Sequence, residues 1–217
     1  MRLEENLKDS YEYTTKLFKD IGRLAILIVL NIIPIVNFIV TGYFAKVIRE
    51  SPRSNAPPVL EKYGELWIDG AKVFIVMLVY LIVPIILVGF GAASAMVAGP
   101  FMPATGLALF GGTLTIIGIV LTFFILVVAV MAVVHMVKTG KMGDAFDFNA
   151  IFSKIRAIGW PNYILWIFVI FVIGLLLSGL SAIPIIGWLI ALIISPVFIV
   201  FIGRSASNIY EATPTTK

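Results

Sequence analysis

The sequence predicts an all-α integral membrane protein of about six hydrophobic helices, arranged as three hairpins with interfacial amphipathic helices on the cytoplasmic face. Composition is the first reason, because 60% of the 217 residues are hydrophobic and only 13% are charged. Soluble domains average about 25% charged residues, so this composition is typical of a chain embedded in a bilayer. The second reason is that Asp, Glu, Lys and Arg avoid three long runs, residues 24–45, 73–137 and 157–203. We interpret these runs as membrane spans and the charged segments between them as loops.

The lengths of the three runs set the number of helices. A helix rises about 1.5 Å per residue, so roughly 20 residues cross a hydrocarbon core of about 30 Å. The second run has room for two spans joined by the Gly-, Ala- and Pro-rich loop 89–106, and the third has room for two spans joined near residues 181–188. The first run fits either one kinked span or a short hairpin that enters and leaves by the same face.

The basic residues favour the hairpin. Cytoplasmic loops carry an excess of Lys and Arg. One span over residues 24–45 would leave eleven basic residues inside and five outside, whereas a short or re-entrant hairpin places all sixteen on one side. We therefore expect a multi-pass protein of the cell membrane with both termini in the cytoplasm. External accessibility at Ser54 would contradict the hairpin.

An amphipathic stretch precedes each apolar run. The stretches are residues 3–23, 60–72 and 144–158. Their apolar residues recur at three- and four-residue steps, which predicts helices in the headgroup plane, with a packed cytoplasmic cap as the alternative. We expect a single membrane domain over residues 1–217 with a weak internal repeat. The repeat units are residues 1–50, 58–138 and 143–210.

Each unit carries a proline in an apolar setting, at Pro34, Pro84 and Pro184. Proline lacks an N–H, so each predicts a broken helix. Asn31 and Asn37 flank the first break, and their amides could satisfy the broken backbone, bridge to a neighbouring helix or line a solute path. Asn37 is the better functional candidate, because the matching residue of the third unit is a glycine.

Catalytic chemistry finds little support. The apolar runs contain one titratable side chain of catalytic type, His135, which has no histidine or carboxylate partner at helical spacing. Its place three residues before Lys138 favours a helix-end role over a ligand or proton-gate role. With one His and no Cys we predict no metal, cofactor or enzyme activity. No Lys/Arg cluster suggests nucleic acid, so the expected partner is the lipid bilayer, with homo-oligomerisation as a further option.

Several segments resemble an uncharacterised membrane family, domain of unknown function 4013. They are IPIVNFIVTGYFAKVIR, GELWIDGAKVFIVMLVYLIVP, DAFDFNAI and IPIIGW. The family is common in archaea and also found in bacteria, and the resemblance covers about residues 10–210. It implies a polytopic, all-helical protein of the prokaryotic cell membrane, and it implies no catalytic residue or substrate.

Two functions fit this pattern. The first is a channel or permease for an uncharged or weakly selected solute, built around the three proline elements, and it is the leading prediction. The second is a non-transporting scaffold, assembly partner or lipid-organising protein, which the lack of interior charge favours. A transporter needs a polar path that reaches Asn31 or Asn37. A scaffold or lipid-organising protein should instead present an apolar groove or lateral face.

Overall fold

A computed structural model of the chain describes residues 2–98, 106–184 and 186–212. Within these residues the secondary structure is helical and contains no β-strand, which confirms the all-α prediction. The helices are α1 (Leu3–Thr15), α2 (Ile21–Ile32), α3 (Phe38–Glu50), α4 (Tyr63–Ala98), α5 (Gly106–Thr139), α6 (Phe148–Ile158), α7 (Trp160–Gly179) and α8 (Gly187–Glu211). Short 3-10 helices lie at Lys16–Lys19, Met142–Phe146 and Leu180–Ala182.

Helices α4, α5, α7 and α8 are, in the described chain, long and apolar enough to cross a membrane. The candidate spans have 32, 34, 23 and 25 residues, the third running from α7 through the following 3-10 helix to Ala182, and a crossing needs about 20. In the most apolar stretch of 18 residues that begins in α7, only 6% of the residues are buried inside the protein. A helix that is apolar all round and so little covered is suited to lipid contact, so the fold is compatible with a multi-pass membrane protein.

The first apolar run forms a short hairpin. Helices α2 and α3 have 12 and 13 residues, about 18–20 Å each, which is less than the hydrocarbon thickness. Arg23, near the start of α2, donates to the Pro58 carbonyl at 2.9 Å. Tyr43, in the first half of α3, donates to the same oxygen at 2.7 Å. Since the chain reverses at residues 33–37 and returns to the same loop, the first run is a hairpin rather than a kinked span.

The three prolines behave differently. Pro34 and Pro184 lie in turns between helices. Pro84, by contrast, lies inside α4, which runs from Tyr63 to Ala98 without a break, so the predicted break there is wrong. A proline within a helix costs about 3 kcal/mol. A full break in lipid would expose several backbone groups at several kcal/mol each, so the helix continues.

The predicted interfacial helices need correction at two places. Residues 60–72 are not a separate helix, because α4 begins at Tyr63 and continues into the apolar span. The segment 3–23 is divided into α1, a 3-10 helix and α2. Its predicted apolar face is also wrong in α1, where Asn6 and Ser10 are buried and Tyr11 is 64% exposed. The reason is that α1 packs along α8, whose last turns are polar.

The chain divides into two compact units. The first consists of Met1–Phe74 together with Met131–Lys217, and the second consists of Ile75–Val130. The first unit has a core that joins α1, α2, α3 and α8. Its buried members are Tyr13, Leu17, Leu24, Leu27, Val40, Tyr43, Val47 and Val200. In the second unit α4 and α5 approach closely, because a Cβ on Gly91 would lie 2.5 Å from the Thr115 hydroxyl. The three-unit repeat stays a prediction, and residues 99–105 of the predicted loop lie outside the described chain.

Candidate functional site

The turn between α2 and α3 contains a backbone conformation that is unfavourable for the residue that adopts it. Ile35 has a φ of +71°, a left-handed value that is an outlier for a β-branched residue. The indole N–H of Trp67 donates to the Ile35 carbonyl at 3.0 Å. The Trp67 ring also lies 5.7 Å from the Phe38 ring. A side chain at the start of α4 therefore fixes the turn in place. We call this hydrogen bond and ring contact the Trp67 clamp.

Two glycines bring α3 and α4 into backbone contact. A Cβ on Gly42 would lie 1.7 Å from the Leu66 carbonyl oxygen, and a Cβ on Gly70 would lie 1.8 Å from that of Phe38. Small residues allow this approach in membrane helices. The segments PIVNF…GY and WIDGAK are therefore the two sides of a single helix crossing.

The two asparagines of the turn have different surroundings. Asn31 donates from its amide to the Ser195 hydroxyl at 3.2 Å, so it bridges α2 to α8. Asn37 precedes α3, and its carbonyl accepts from the N–H groups of Val40 and Thr41 at 3.0 and 3.2 Å. These bonds are the first backbone bonds of α3 and involve the main chain of Asn37 rather than its side-chain amide. A role of either side chain in a solute path stays a prediction.

An ion pair ties α3 to α4 beside the crossing. Arg49 bonds Asp69 at 2.7 Å, and Lys72 reaches the other carboxylate oxygen at 3.4 Å. The Asp69 side chain is 17% exposed. Arg49 and Asp69 are 20 residues apart along the chain, so a local pattern does not show this pair.

The proline-rich segment 50–59 is held by many hydrogen bonds from other parts of the chain. Its carbonyls accept from five cationic side chains at 2.5–2.9 Å. The donors are Lys16, Arg23, Lys46, Lys138 and Arg204. Prolines keep this segment out of a helix, so its carbonyls are available to charged donors, and such bonds are stronger than neutral ones.

His135 is buried and bonded within the protein. Its Nδ1 lies 2.8 Å from the Tyr210 hydroxyl, and the Lys154 ammonium lies 4.5 Å from the centre of the Tyr210 ring. The histidine thus joins α5 to the end of α8, as a residue near a helix end can. Pro84 lies in the second unit and Pro184 in the turn before α8, and neither contributes to the clamp at Trp67.

A second ion pair, which sequence reasoning missed, joins α1 to α8. Arg204 donates to Asp9 at 2.7 Å, with the arginine side chain 5% exposed and the carboxylate 43% exposed. Hydrogen bonds from Arg204 and then from Asn208 hold the pKa of the Asp9 carboxyl below its usual value. A signal was present: Asn6, Ser10 and Tyr13 form a polar stripe at helical spacing on α1.

Two cavities lie at α1, α7 and α8, and the end of α6 also lines one of them. The apolar groove has a volume of about 420 Å³. It is lined by Leu7, Tyr11, Thr14, Thr15, Phe18, Ile173, Leu177, Ile194, Val197, Phe198 and Phe201. The polar cavity has about 410 Å³. It is lined by Arg2, Leu3, Asn6, Ala157, Ile158, Asn162, Leu165, Ile209 and Ala212.

In the described part of the chain, no group of three or more His, Asp or Glu side chains lies close enough together to hold a metal ion. Comparison with known proteins gives one result. A family model described as "Protein of unknown function (DUF4013)" matches residues 26–186. No curated protein and no solved structure matches the chain.

Proposed function

We propose that this chain, which belongs to the DUF4013 family of unknown function, is a membrane protein that binds lipid and neither conducts solute nor catalyses a reaction. The observation that carries the proposal is the apolar groove between α1, α7 and α8. Its occupant in this proposal is the acyl chain of a membrane lipid, because the groove lies along two of the apolar helices that are long enough to cross a bilayer.

Two threonines line the groove, and their hydroxyl groups are bonded to the backbone of α1. Thr14 donates its hydroxyl to the Ser10 carbonyl at 2.7 Å, and Thr15 donates to the Glu12 carbonyl at 2.8 Å. Both hydroxyls are therefore satisfied on α1 itself. A hydrocarbon chain fits against these threonines without leaving their hydroxyls unpaired.

Transport, the leading prediction from the sequence, has less support. That prediction needs a polar path at Asn31 or Asn37. The Asn31 amide is bonded to Ser195, and neither of the two cavities is lined by either asparagine. Pro84 also lies within a continuous helix. We therefore favour the lipid-organising alternative.

Substitution of Leu177 by Trp tests the proposal, because the larger ring would fill the groove. The matched control is Leu176→Trp, since Leu176 is the next residue, is 69% exposed and does not line the groove. Purified in mild detergent, the wild type and L176W should retain lipid by native mass spectrometry, and L177W should lose most of it. Equal lipid retention by all three proteins would overturn the proposal.

The proposal places the protein in the cell membrane as three hairpins, with the polar loops and both termini in the cytoplasm. The one-sided distribution of Lys and Arg supports this orientation. Because the chain has no cysteine, a single Arg53→Cys substitution in the exposed part of the 50–59 segment provides a clean probe. An impermeant thiol reagent should label it in inside-out vesicles and leave intact cells unlabelled. Labelling of intact cells would contradict the orientation.

A further inference from the structure

We infer that the polar cavity and the apolar groove are the two ends of one site, which holds a single anionic phospholipid with its phosphate at Arg2. This inference rests on the proposed function and adds the class of lipid and the place of its headgroup. It does not depend on the hairpin turn or on its asparagines.

The two cavities are lined by the same faces of α1, α7 and α8, and the polar cavity is also lined by Ala157 and Ile158 at the end of α6. Residues that line them recur along α7 at Asn162, Leu165, Ile173 and Leu177. These numbers follow three- and four-residue steps with one step left out, as one face of a helix does. The corresponding residues are Ile194, Val197, Phe198, Phe201 and Ile209 on α8, and Leu3, Leu7, Tyr11, Thr14 and Phe18 on α1 and the following 3-10 helix.

The length of the combined site matches one leaflet. The outermost lining residues are Asn162 and Leu177 on α7, Ile194 on α8 and Ala212 just after it, and Arg2 just before α1 and Phe18 after it; these pairs are 15, 18 and 16 positions apart. At about 1.5 Å per residue, the three intervals are about 22–27 Å long. A bilayer with its headgroups is about 40–45 Å thick, so one leaflet occupies about the same length.

The charge of the polar end selects the headgroup. Arg2 is the one charged residue among the described residues that line this cavity. Its Nε bonds Glu5 at 3.2 Å, and a guanidinium has five N–H donors, so phosphate can be bound as well. Asn162 donates one amide N–H to the Ile158 carbonyl at 3.3 Å and keeps a second donor. Glu5 bonds Arg2 but does not line the cavity, so Arg2 is the lining charge that a headgroup meets there, and we assign an anionic headgroup.

Nanodiscs of phosphatidylcholine, with or without phosphatidylglycerol, provide the test. We expect the wild type to retain phosphatidylglycerol over phosphatidylcholine, measured by mass spectrometry after extraction. Arg2→Gln should reduce that preference about five- to tenfold, as the loss of one charge-assisted contact implies. Lys8→Gln, an exposed cation on α1 that lines neither cavity, should leave it unchanged.

Each remaining outcome decides between the proposals. Equal losses in R2Q and K8Q would mean general surface charge and would overturn the headgroup site. Binding of free inorganic phosphate that phosphatidylglycerol fails to displace would overturn it too. Lipid retention that depends on Leu177 but shows no headgroup preference would overturn this inference and leave the acyl-chain groove intact. Retention that is independent of Leu177 would overturn both.

Discussion

At the scale of single residues, Ile35 is the most unusual feature of the hairpin. A left-handed φ costs a non-glycine residue about 1–2 kcal/mol, and such conformations persist only when their surroundings impose them. The Trp67 indole supplies that constraint from α4. Ile35 is also 67% exposed, so its side chain gains little from burial within the protein. The backbone position therefore matters more than the side chain.

Replacing Ile35 by glycine should stabilise the protein. Glycine adopts positive φ at no steric cost, and part of that gain is offset by its greater freedom in the unfolded chain. We expect a net gain of about 0.5–1 kcal/mol, measured by thermal unfolding in detergent. Val36→Gly, the neighbouring control, should destabilise the protein. A lower melting temperature for I35G than for the wild type would contradict the strain at Ile35.

Removal of the Trp67 donor should weaken the clamp. Trp67→Phe keeps an aromatic ring near Phe38 and removes the N–H that bonds Ile35, so we expect a loss of about 1 kcal/mol. Trp188→Phe is the control, because Trp188 is 60% exposed at the start of α8 and its indole makes no hydrogen bond to the residues that the structure describes. Equal effects of the two substitutions would show that the indole bond contributes nothing specific.

The Arg204–Asp9 pair should make stability depend on pH. Because the pKa of Asp9 is lowered in the folded state, the pair stabilises the protein above the unfolded pKa of about 4. That contribution should be lost as pH falls through the folded pKa. Asp9→Asn should therefore be less stable than the wild type at pH 7 and approach it in acid. Glu12→Gln, an exposed control on α1, should run parallel to the wild type; a constant difference for D9N down to pH 3 would contradict this assignment.

At the scale of elements, the crossing of α3 and α4 depends on glycine. A Cβ at Gly70 would lie 1.8 Å from the Phe38 carbonyl oxygen, whereas one at Gly64, on the same helix, would have no atom within 4 Å. Gly70→Ala should therefore destabilise by about 1–3 kcal/mol or more through overpacking. Gly64→Ala should be neutral or slightly stabilising, by up to about 1 kcal/mol. Thermal unfolding of the two variants checks this, and equal stability would contradict the backbone contact.

Charge counting predicted a chain reversal within the first apolar run, and a turn at residues 33–37 does separate α2 from α3; the placement of both ends on one side of a membrane stays a prediction. Proline alone was a weaker guide. At Pro34 the turn finds partners for its carbonyls in Trp67 and in the first N–H groups of α3, while at Pro84 the helix continues. Whether such partners exist depends on residues distant in sequence, which a local pattern does not contain.

The inverted packing of α1 was also beyond a local pattern. The sequence predicts that an amphipathic helix buries its apolar side, yet α1 buries Asn6 and Ser10 against α8. The cause is Arg204, a cation near the end of the third apolar run that needs an acidic partner. Asp9 provides it. Only the pairing of α1 with α8 reveals that the polar stripe is the inner face.

At the scale of the whole molecule, the basic residues have a second use besides topology. Five of them bond the carbonyls of segment 50–59, so the cations that favour a cytoplasmic face also hold this segment to the 3-10 helix Lys16–Lys19 and to α2, α3, α5 and α8. The sequence predicted the first use from composition. The second use depends on segment 50–59, because its prolines keep it out of a helix and leave its carbonyls free to accept hydrogen bonds from these cations.

The lipid site also belongs to this scale, because α1, α7 and α8 each contribute one wall. The sequence predicted a lipid partner only in the general sense of a bilayer. It did not predict a groove, since the lining residues of α1 and α7 are more than 150 positions apart. The apolar wall, the polar end and the similar length of the lining intervals on the three helices together distinguish a bound lipid from bulk lipid.

The most direct test is photo-cross-linking of a phospholipid that carries a diazirine near the end of its acyl chain, in nanodiscs, with the labelled peptides mapped by mass spectrometry. A lipid held in the groove should label Phe18, Ile194 and Val197 far more than Phe168 and Leu176, which are 60% and 69% exposed and do not line the groove. Leu177→Trp should abolish that enrichment. Labelling in proportion to exposure, with no enrichment at the groove and no effect of L177W, would contradict the account.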